Sequence, residues 1–127
     1  VWSAVLEVIR EAAGQVGTID AIGVTSFGES FVLLDENDQV LMPSMLYTDP
    51  RGEEECRQLA AAFGEERLTL LTGTTPHPMY SISKILWLKN HRPELYARCK
   101  RILLGEDFIV YALTGVAQID YIRLKQK

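Results

Sequence analysis

The stretch IDAIGVTSFGESFVLLDENDQVLM, residues 19–42, decides how the chain reads. Residues 19–24 are rich in apolar and β-branched residues and predict a buried strand. That run gives way to Thr25, Ser26, Phe27, Gly28, Glu29 and Ser30, small and polar residues with one carboxylate. Residues 31–34 predict a second strand, Asp35-Glu36-Asn37-Asp38 a turn, and 39–42 a return strand, so the region reads as a hairpin within one sheet. Further along, Tyr47-Thr48-Asp49-Pro50-Arg51-Gly52 forms a second polar cluster after another apolar run. Two strand ends carrying hydroxyls, carboxylates and an arginine suit a pocket for a polyhydroxylated small molecule. Every hydroxyl that leaves water there must meet a donor or an acceptor.

The rest of the chain is mainly helical in pattern. Over 3–16, Val5, Val8, Ile9, Ala12, Ala13 and Val16 recur at three- and four-residue steps, with Ser3 as N-cap and Gly17 at the end. From Arg51 a helix presents Cys56, Leu59, Ala60 and Phe63 on one face and stops at Gly64. A shorter helix covers 65–71. The loop Thr74-Thr75-Pro76-His77-Pro78 is rigid, since each proline sets its own φ and restricts its predecessor. Ser81 reads as the cap of a helix to Asn90 whose core face is Ile82, Ile85, Leu86 and Trp87. Pro93 begins a further helical turn, 102–104 a short strand, and 106–113 a last helix closed by Thr114 and Gly115. The chain contains no internal repeat, and residues 122–127 read as an irregular basic tail.

Composition narrows the function classes. The chain has 127 residues, 47% of them hydrophobic, and a formal net charge of −4. This predicts a single domain with an ordinary core and carries no electrostatic footprint for nucleic acid. The apolar runs are too short for a membrane span. The start Val1-Trp2-Ser3 lacks an initiator Met and a signal-type segment, which predicts a piece of a longer protein. Cys56 and Cys99 sit in helical patterns without partner spacing, so reduced thiols in a cytoplasmic setting are expected.

The segment IDAIGVTSFGESFVLLDENDQVLMPSMLYTDPRGEEE, followed by LTGTTPHPMYSISKILWLKNHRPELYARCKRILLGEDFIVYALTG, resembles the N-terminal lobe of the FGGY carbohydrate kinases. That family includes xylulokinase, gluconokinase and glycerol kinase. In it a "TG" precedes a "K-x-x-W-L" helix and a "D-x-x-x-x-x-L-T-G" segment follows. The resemblance runs from about Val16 to Asp120. It implies an α/β fold, a partial ribonuclease H-like lobe of the actin/hexokinase type, with a mixed sheet and flanking helices. It implies that 1–121 form part of a sugar-binding lobe. ATP and Mg²⁺ would serve the full-length parent, with none bound by this chain alone.

By resemblance, Gly28 and Glu29 fall where the family places its sugar-contacting pair. Glu29 agrees with the glycerol-kinase pattern and Gly28 with none. Tyr47 stands where many members have Trp, in a "W-x-D-x-R" pattern whose Asp49 and Arg51 are intact. Met79 lies near a substrate-contacting aromatic. The family's phosphate loop, catalytic Asp and ATP-binding lobe have no counterpart here, so no catalytic base and no metal ligand is expected in the chain.

Each of these positions has a plainer reading. Glu29 is either a sugar acceptor or a solvated turn carboxylate. Asp49 and Arg51 either bind substrate or cap the helix that follows. His77 has no triad or ligand partner at the right spacing and reads as a loop residue. Asp107 reads as a helix cap, Trp87 as core packing, and Glu53-Glu54-Glu55 as charges complementing a helix N-terminus with no partner implied. Two functions follow. One is a piece of an ATP-dependent sugar kinase, inactive alone. The other is a non-catalytic sugar-binding or interaction module on the same scaffold. Self-association is expected through an exposed sheet edge.

Overall fold

A computed structural model describes residues 1–119. The expected basic tail over 122–127 lies outside the described residues. The element order is α1 (Trp2–Val16), β1 (Phe31–Leu34), α2 (Glu53–Phe63), α3 (Glu65–Thr72), α4 (Ser81–His91), α5 (Pro93–Arg98), β2 (Arg101–Leu104) and α6 (Gly105–Thr114). The chain is therefore α/β, as its patterning predicts.

The sheet differs from the expected one. β1 pairs antiparallel with β2, Phe31 opposite Leu104 and Leu34 opposite Arg101. Residues 39–42 make only a thin return arm, with one bridge between Leu34 and Val40 and two backbone hydrogen bonds, Asp35 N to Gln39 O at 3.0 Å and Leu41 N to Leu33 O at 2.9 Å. The turn itself forms as read. Asp35 Oδ1 accepts the amides of Asn37 and Gln39, both at 2.9 Å. Asp38 takes a left-handed φ of 60°. Pro43 has no N–H to donate, so the arm cannot lengthen into a ladder at that residue.

Residues 19–24 form no strand among the described residues. Apolar, β-branched composition marks a segment as fit for a sheet, but a strand exists only where a neighbour exchanges hydrogen bonds with it. Here the run instead lies over α1 and α6, where Ile19, Ile22 and Val24 line an open hollow with Ile9, Ala13, Val110 and Leu113. Nor is it buried as expected, since Ile22 is 48% exposed. α1 fits the same picture, being amphipathic with no fully buried residue. Its N-cap is Val1 and Ser3 makes no cap.

The core is Phe31, Leu33, Met45, Leu88, Leu95 and Leu104, with Leu41, Met42, Ile85, Trp87 and Cys99 packed against it. It joins β1 and β2 to α4 and α5. The buried face of α4 is not the expected apolar one. Ser81, Ser83, Lys84 and Leu88 are buried, while Ile82 is exposed and Ile85 and Trp87 are half-buried. Positions 81, 84 and 88 share one helical face. Polar groups on that face are met by loop atoms, and this makes the face tolerable inside.

Gly52 sets how closely α2 meets α4. It has φ 102°, and a Cβ there would stand 3.0 Å from Ser83 C and 3.1 Å from Lys84 N. Only glycine combines that backbone conformation with that approach. In the first turn of α2, Glu55 is 2% exposed and faces Asn90 and His91 at the far end of α4, with His91 Nε2 at 3.1 Å from its Oε1. The acidic start of α2 thus has a partner that its sequence did not imply.

Candidate functional site

Three segments converge beside α4: the turn at Gly28–Ser30, the loop from Ser44 to Gly52, and the chain entering α4 at Met79–Ser81. Glu29 is the link between the first and the third. It is 8% exposed, and its Oε2 accepts both Ser81 N and Ser81 Oγ at 2.8 Å. The carboxylate sits on the unsatisfied amides and positive dipole end of α4. The plain reading of Glu29 as a solvated carboxylate is therefore wrong, although the residue does lie in a turn. Ser81 is not the cap of its own helix either. Tyr80 is the N-cap, without a side-chain bond, and the cap arrives from Glu29.

Two serines sew the second segment to β1. Ser44 Oγ donates to Phe31 O at 2.6 Å, and Ser30 Oγ accepts Tyr47 N at 3.2 Å. The Tyr47 ring stands 5.4 Å from that of Phe27, tilted by 32°, and both rings are exposed. Gly28 is half-buried in the turn between them and Glu29.

Asp49 and Arg51 form a pair rather than a helix cap. Asp49 Oδ1 accepts Arg51 N at 3.0 Å and Arg51 Nε at 2.9 Å, while Oδ2 pairs with Nη2. The cap position of α2 belongs to Gly52, which has no side chain. Hydrogen bonding from Arg51 holds the Asp49 carboxyl below the usual carboxylate range against the opposing effect of burial, and Asp49 raises Arg51 in return. The guanidinium lies 4.8 Å from the Trp87 ring centroid, and Trp87 also stacks on His91 at 5.0 Å. Trp87 packs against the core as expected, and it is also the shelf under Arg51.

Lys84 lies at the centre and is 0% exposed. Its Nζ donates to Leu46 O at 2.6 Å and Met79 O at 3.1 Å. Burial pushes its ammonium below the usual lysine range, and the charges of Asp49 and Glu29 oppose that fall. Of the positions singled out in the sequence, Glu29, Asp49, Arg51 and Met79 thus gather around one buried cation, with Gly28 and Tyr47 adjoining. Lys84 itself was legible only as one letter of a motif. Its signal is a lysine at i+3 from Ser81 and i−4 from Leu88 on the inward face.

His77 lies in the proline loop, where its Nδ1 accepts Met79 N at 3.1 Å. Asp107 Oδ2 accepts Leu104 N at 3.2 Å, a capping bond at the start of α6. A separate apolar hollow of about 290 Å³ lies between α2, α3 and the start of α4, lined by Leu59, Phe63, Leu68, Leu71 and Tyr80 among others. Its walls carry none of the clustered carboxylates.

The described residues include no group of three or more His, Cys, Asp or Glu able to hold a metal ion. Polyphosphate favours a bare helix N-terminus. Here α2, α3, α5 and α6 each begin with Asp or Glu in the first turn and Glu29 occupies the start of α4, whereas α1 has no acidic residue in its first turn. No described helix is long and apolar enough to cross a membrane.

The family model described as "FGGY family of carbohydrate kinases, N-terminal domain" matches residues 1–124. The chain is 30% identical to the xylulose kinase of Bacillus subtilis over 118 residues, covering 93% of this chain and 23% of that protein. It is 33% identical to the L-xylulose/3-keto-L-gulonate kinase of Escherichia coli over 119 residues, covering 91% of this chain and 24% of that protein. Among solved structures, a ligand-bound xylulose kinase from Lactobacillus acidophilus superposes with a TM-score of 0.88 at 26% identity, over 98% of this chain and 26% of that one. A gluconate kinase from the same organism gives 0.89 at 26% identity, with the same coverage. The chain therefore has the fold of part of these sugar kinases, the ribonuclease H-like ATPase fold, and spans about a quarter of the length of the proteins it matches.

Proposed function

Because the chain belongs to the FGGY family of carbohydrate kinases, we propose that it forms part of the sugar side of an enzyme that transfers a phosphoryl group from ATP to a sugar or polyol hydroxyl. The observation that carries this reading is the convergence of Glu29, Asp49 and Arg51 around Lys84. Glu29 uses Oε2 on Ser81, and among the described residues no donor engages Oε1, so that oxygen is the acceptor for a sugar hydroxyl. The Asp49–Arg51 pair and the Tyr47 ring form the second wall, with Met79 at the rim. Xylulose and gluconate are the first substrates to test, since relatives named for them are among the matches. The setting is cytoplasmic, and Mg-ATP is held outside the described residues.

The chain alone does not transfer phosphate. Asp49 is bound on both oxygens by Arg51 and Glu29 is committed to α4, and a carboxylate held in charge-assisted or capping bonds is a poor general base. This same commitment favours a second reading, a sugar-binding module without transfer. Two assays separate them. The polypeptide that carries this chain is given ATP with D-xylulose or D-gluconate, and sugar binding is measured by calorimetry. Sugar phosphate formation supports the kinase. Binding without product supports the module. Neither binding nor product refutes both.

A further inference from the structure

A lysine that reaches no water is an anomaly in a small domain, because an ammonium loses its hydration on burial and is seldom buried unless paired. Lys84 meets this demand with two backbone carbonyls from segments far apart in the chain, Leu46 O at 2.6 Å and Met79 O at 3.1 Å. The first carbonyl belongs to the loop bearing Tyr47, Asp49 and Arg51. The second precedes Ser81, the residue that holds Glu29. We propose that Lys84 is a positioning residue of the sugar site, its ammonium clamping the Leu46 loop to the start of α4 so that the two walls of the pocket keep one spacing.

This inference rests on the proposed function, because it assumes that those two walls hold the sugar. Lys84 is 0% exposed, so it cannot touch a substrate and acts only through the atoms it holds. Three features suit it to the task. A charged donor makes a stronger bond to a carbonyl than a neutral one. A single ammonium can serve two acceptors in different directions, since it has three donors. Both neighbouring carboxylates, Asp49 and Glu29, favour its charged form. Gly52 completes the joint by letting the end of the same loop lie against the backbone of Ser83 and Lys84. Loops positioned loosely lose affinity without losing the groups that make it.

The test uses the polypeptide that carries this chain, with D-xylulose and D-gluconate as probes. Lys84→Met keeps the length of the stem and removes the donors. Its sugar KM should rise about ten-fold or more, with kcat lowered less and ATP KM within about two-fold. Lys84→Gln, which retains one amide donor group, should fall between Lys84→Met and the parent. A merely structural role would instead lower the amount of active enzyme and leave sugar KM in place, and that result overturns the proposal. If Lys84→Met does not fold, Lys84→Gln decides by the same criterion. If neither folds, hydrogen exchange of the unmodified protein decides. Sugar should protect the amides of 46–49, 51 and 79–81 together, and protection of one loop alone overturns the clamp. Asp49→Asn serves as the control for the underlying reading. If it raises sugar KM while a folded Lys84 variant does not, only the clamp fails. If Asp49→Asn and Glu29→Ala both leave sugar kinetics unchanged, the site itself is misplaced.

Discussion

Glu29 caps helix α4 through Ser81, giving one carboxylate oxygen to both the amide and the hydroxyl of that residue at 2.8 Å. The bond spans 52 residues of sequence and joins a turn ahead of β1 to a helix in the second half of the chain. A residue proposed to bind substrate is thus also a structural tie, and the two roles predict different measurable losses.

Replacing Glu29 with Ala removes the cap and leaves buried donors on Ser81 without a partner. Chemical denaturation should show a loss of about 1–3 kcal/mol. In the polypeptide that carries the chain, sugar kcat/KM should fall by about ten- to a hundred-fold while ATP affinity hardly changes. His77→Ala should affect sugar turnover far less, since that ring only accepts Met79 N within its loop. A His77 variant that loses turnover while the Glu29 variant keeps it would reverse the assignment.

The Asp49–Arg51 pair predicts a pH dependence. Arg51 depresses the folded-state pKa of Asp49 below its ordinary value of about 3.8. A depressed carboxylate adds stability above its unfolded pKa, and that stability is lost as pH falls through the folded value. The contribution is therefore complete at neutral pH, begins to fall near the unfolded value of about 4 and is lost only as pH drops through the lower folded value. Urea midpoints of the parent and Asp49→Asn should differ at pH 6, and the gap should narrow as pH falls below about 4. A gap that stays constant over this range would show that the pair adds no proton-linked stability.

Gly52→Ala should be costly for two independent reasons. The backbone there has φ 102°, and the new methyl would meet Ser83 C at 3.0 Å. Neither neighbour is a flexible side-chain end, so α2 and α4 must separate or the loop must shift. A stability loss of about 1–3 kcal/mol is expected. Thermal unfolding of the variant measures it, and an unchanged Tm would mean that the helices do not meet as described.

The outer edge of β2 has no strand beside it among the described residues, whereas β1 is bridged on its far side to Val40 and Met45. Ile102 on β2 is 38% exposed. Open edges template pairing with another copy. Light scattering should show concentration-dependent association of the 127-residue chain, and Ile102→Lys should weaken it. A monodisperse parent at high concentration would rule the edge out as an association site.

The helices were the legible part. Each closes its hydrogen bonds within four residues, so apolar spacing and the glycines at 17, 64, 73 and 115 placed α1 to α4 and α6 to within a residue or two, and Pro93 placed the start of α5. The Asp35 turn was local in the same sense, whereas the strand at 31–34 was read from composition and closes its ladder on β2, far along the chain. The segment 19–24 was misread because its composition could not reveal whether a neighbour would accept its hydrogen bonds.

By itself, then, the sequence determined the helical periods, the α/β class, the Asp35 turn and, through its ordered motifs, membership of the carbohydrate kinase family. Tertiary structure alone decided that β1 pairs with β2, that Glu29 caps α4, and that Lys84 is buried between Leu46 and Met79. The physical reason is range. A turn or helix is settled by atoms a few residues apart, whereas a buried charge or a shared cap is tolerable only where distant segments bring the matching acceptors and donors to it.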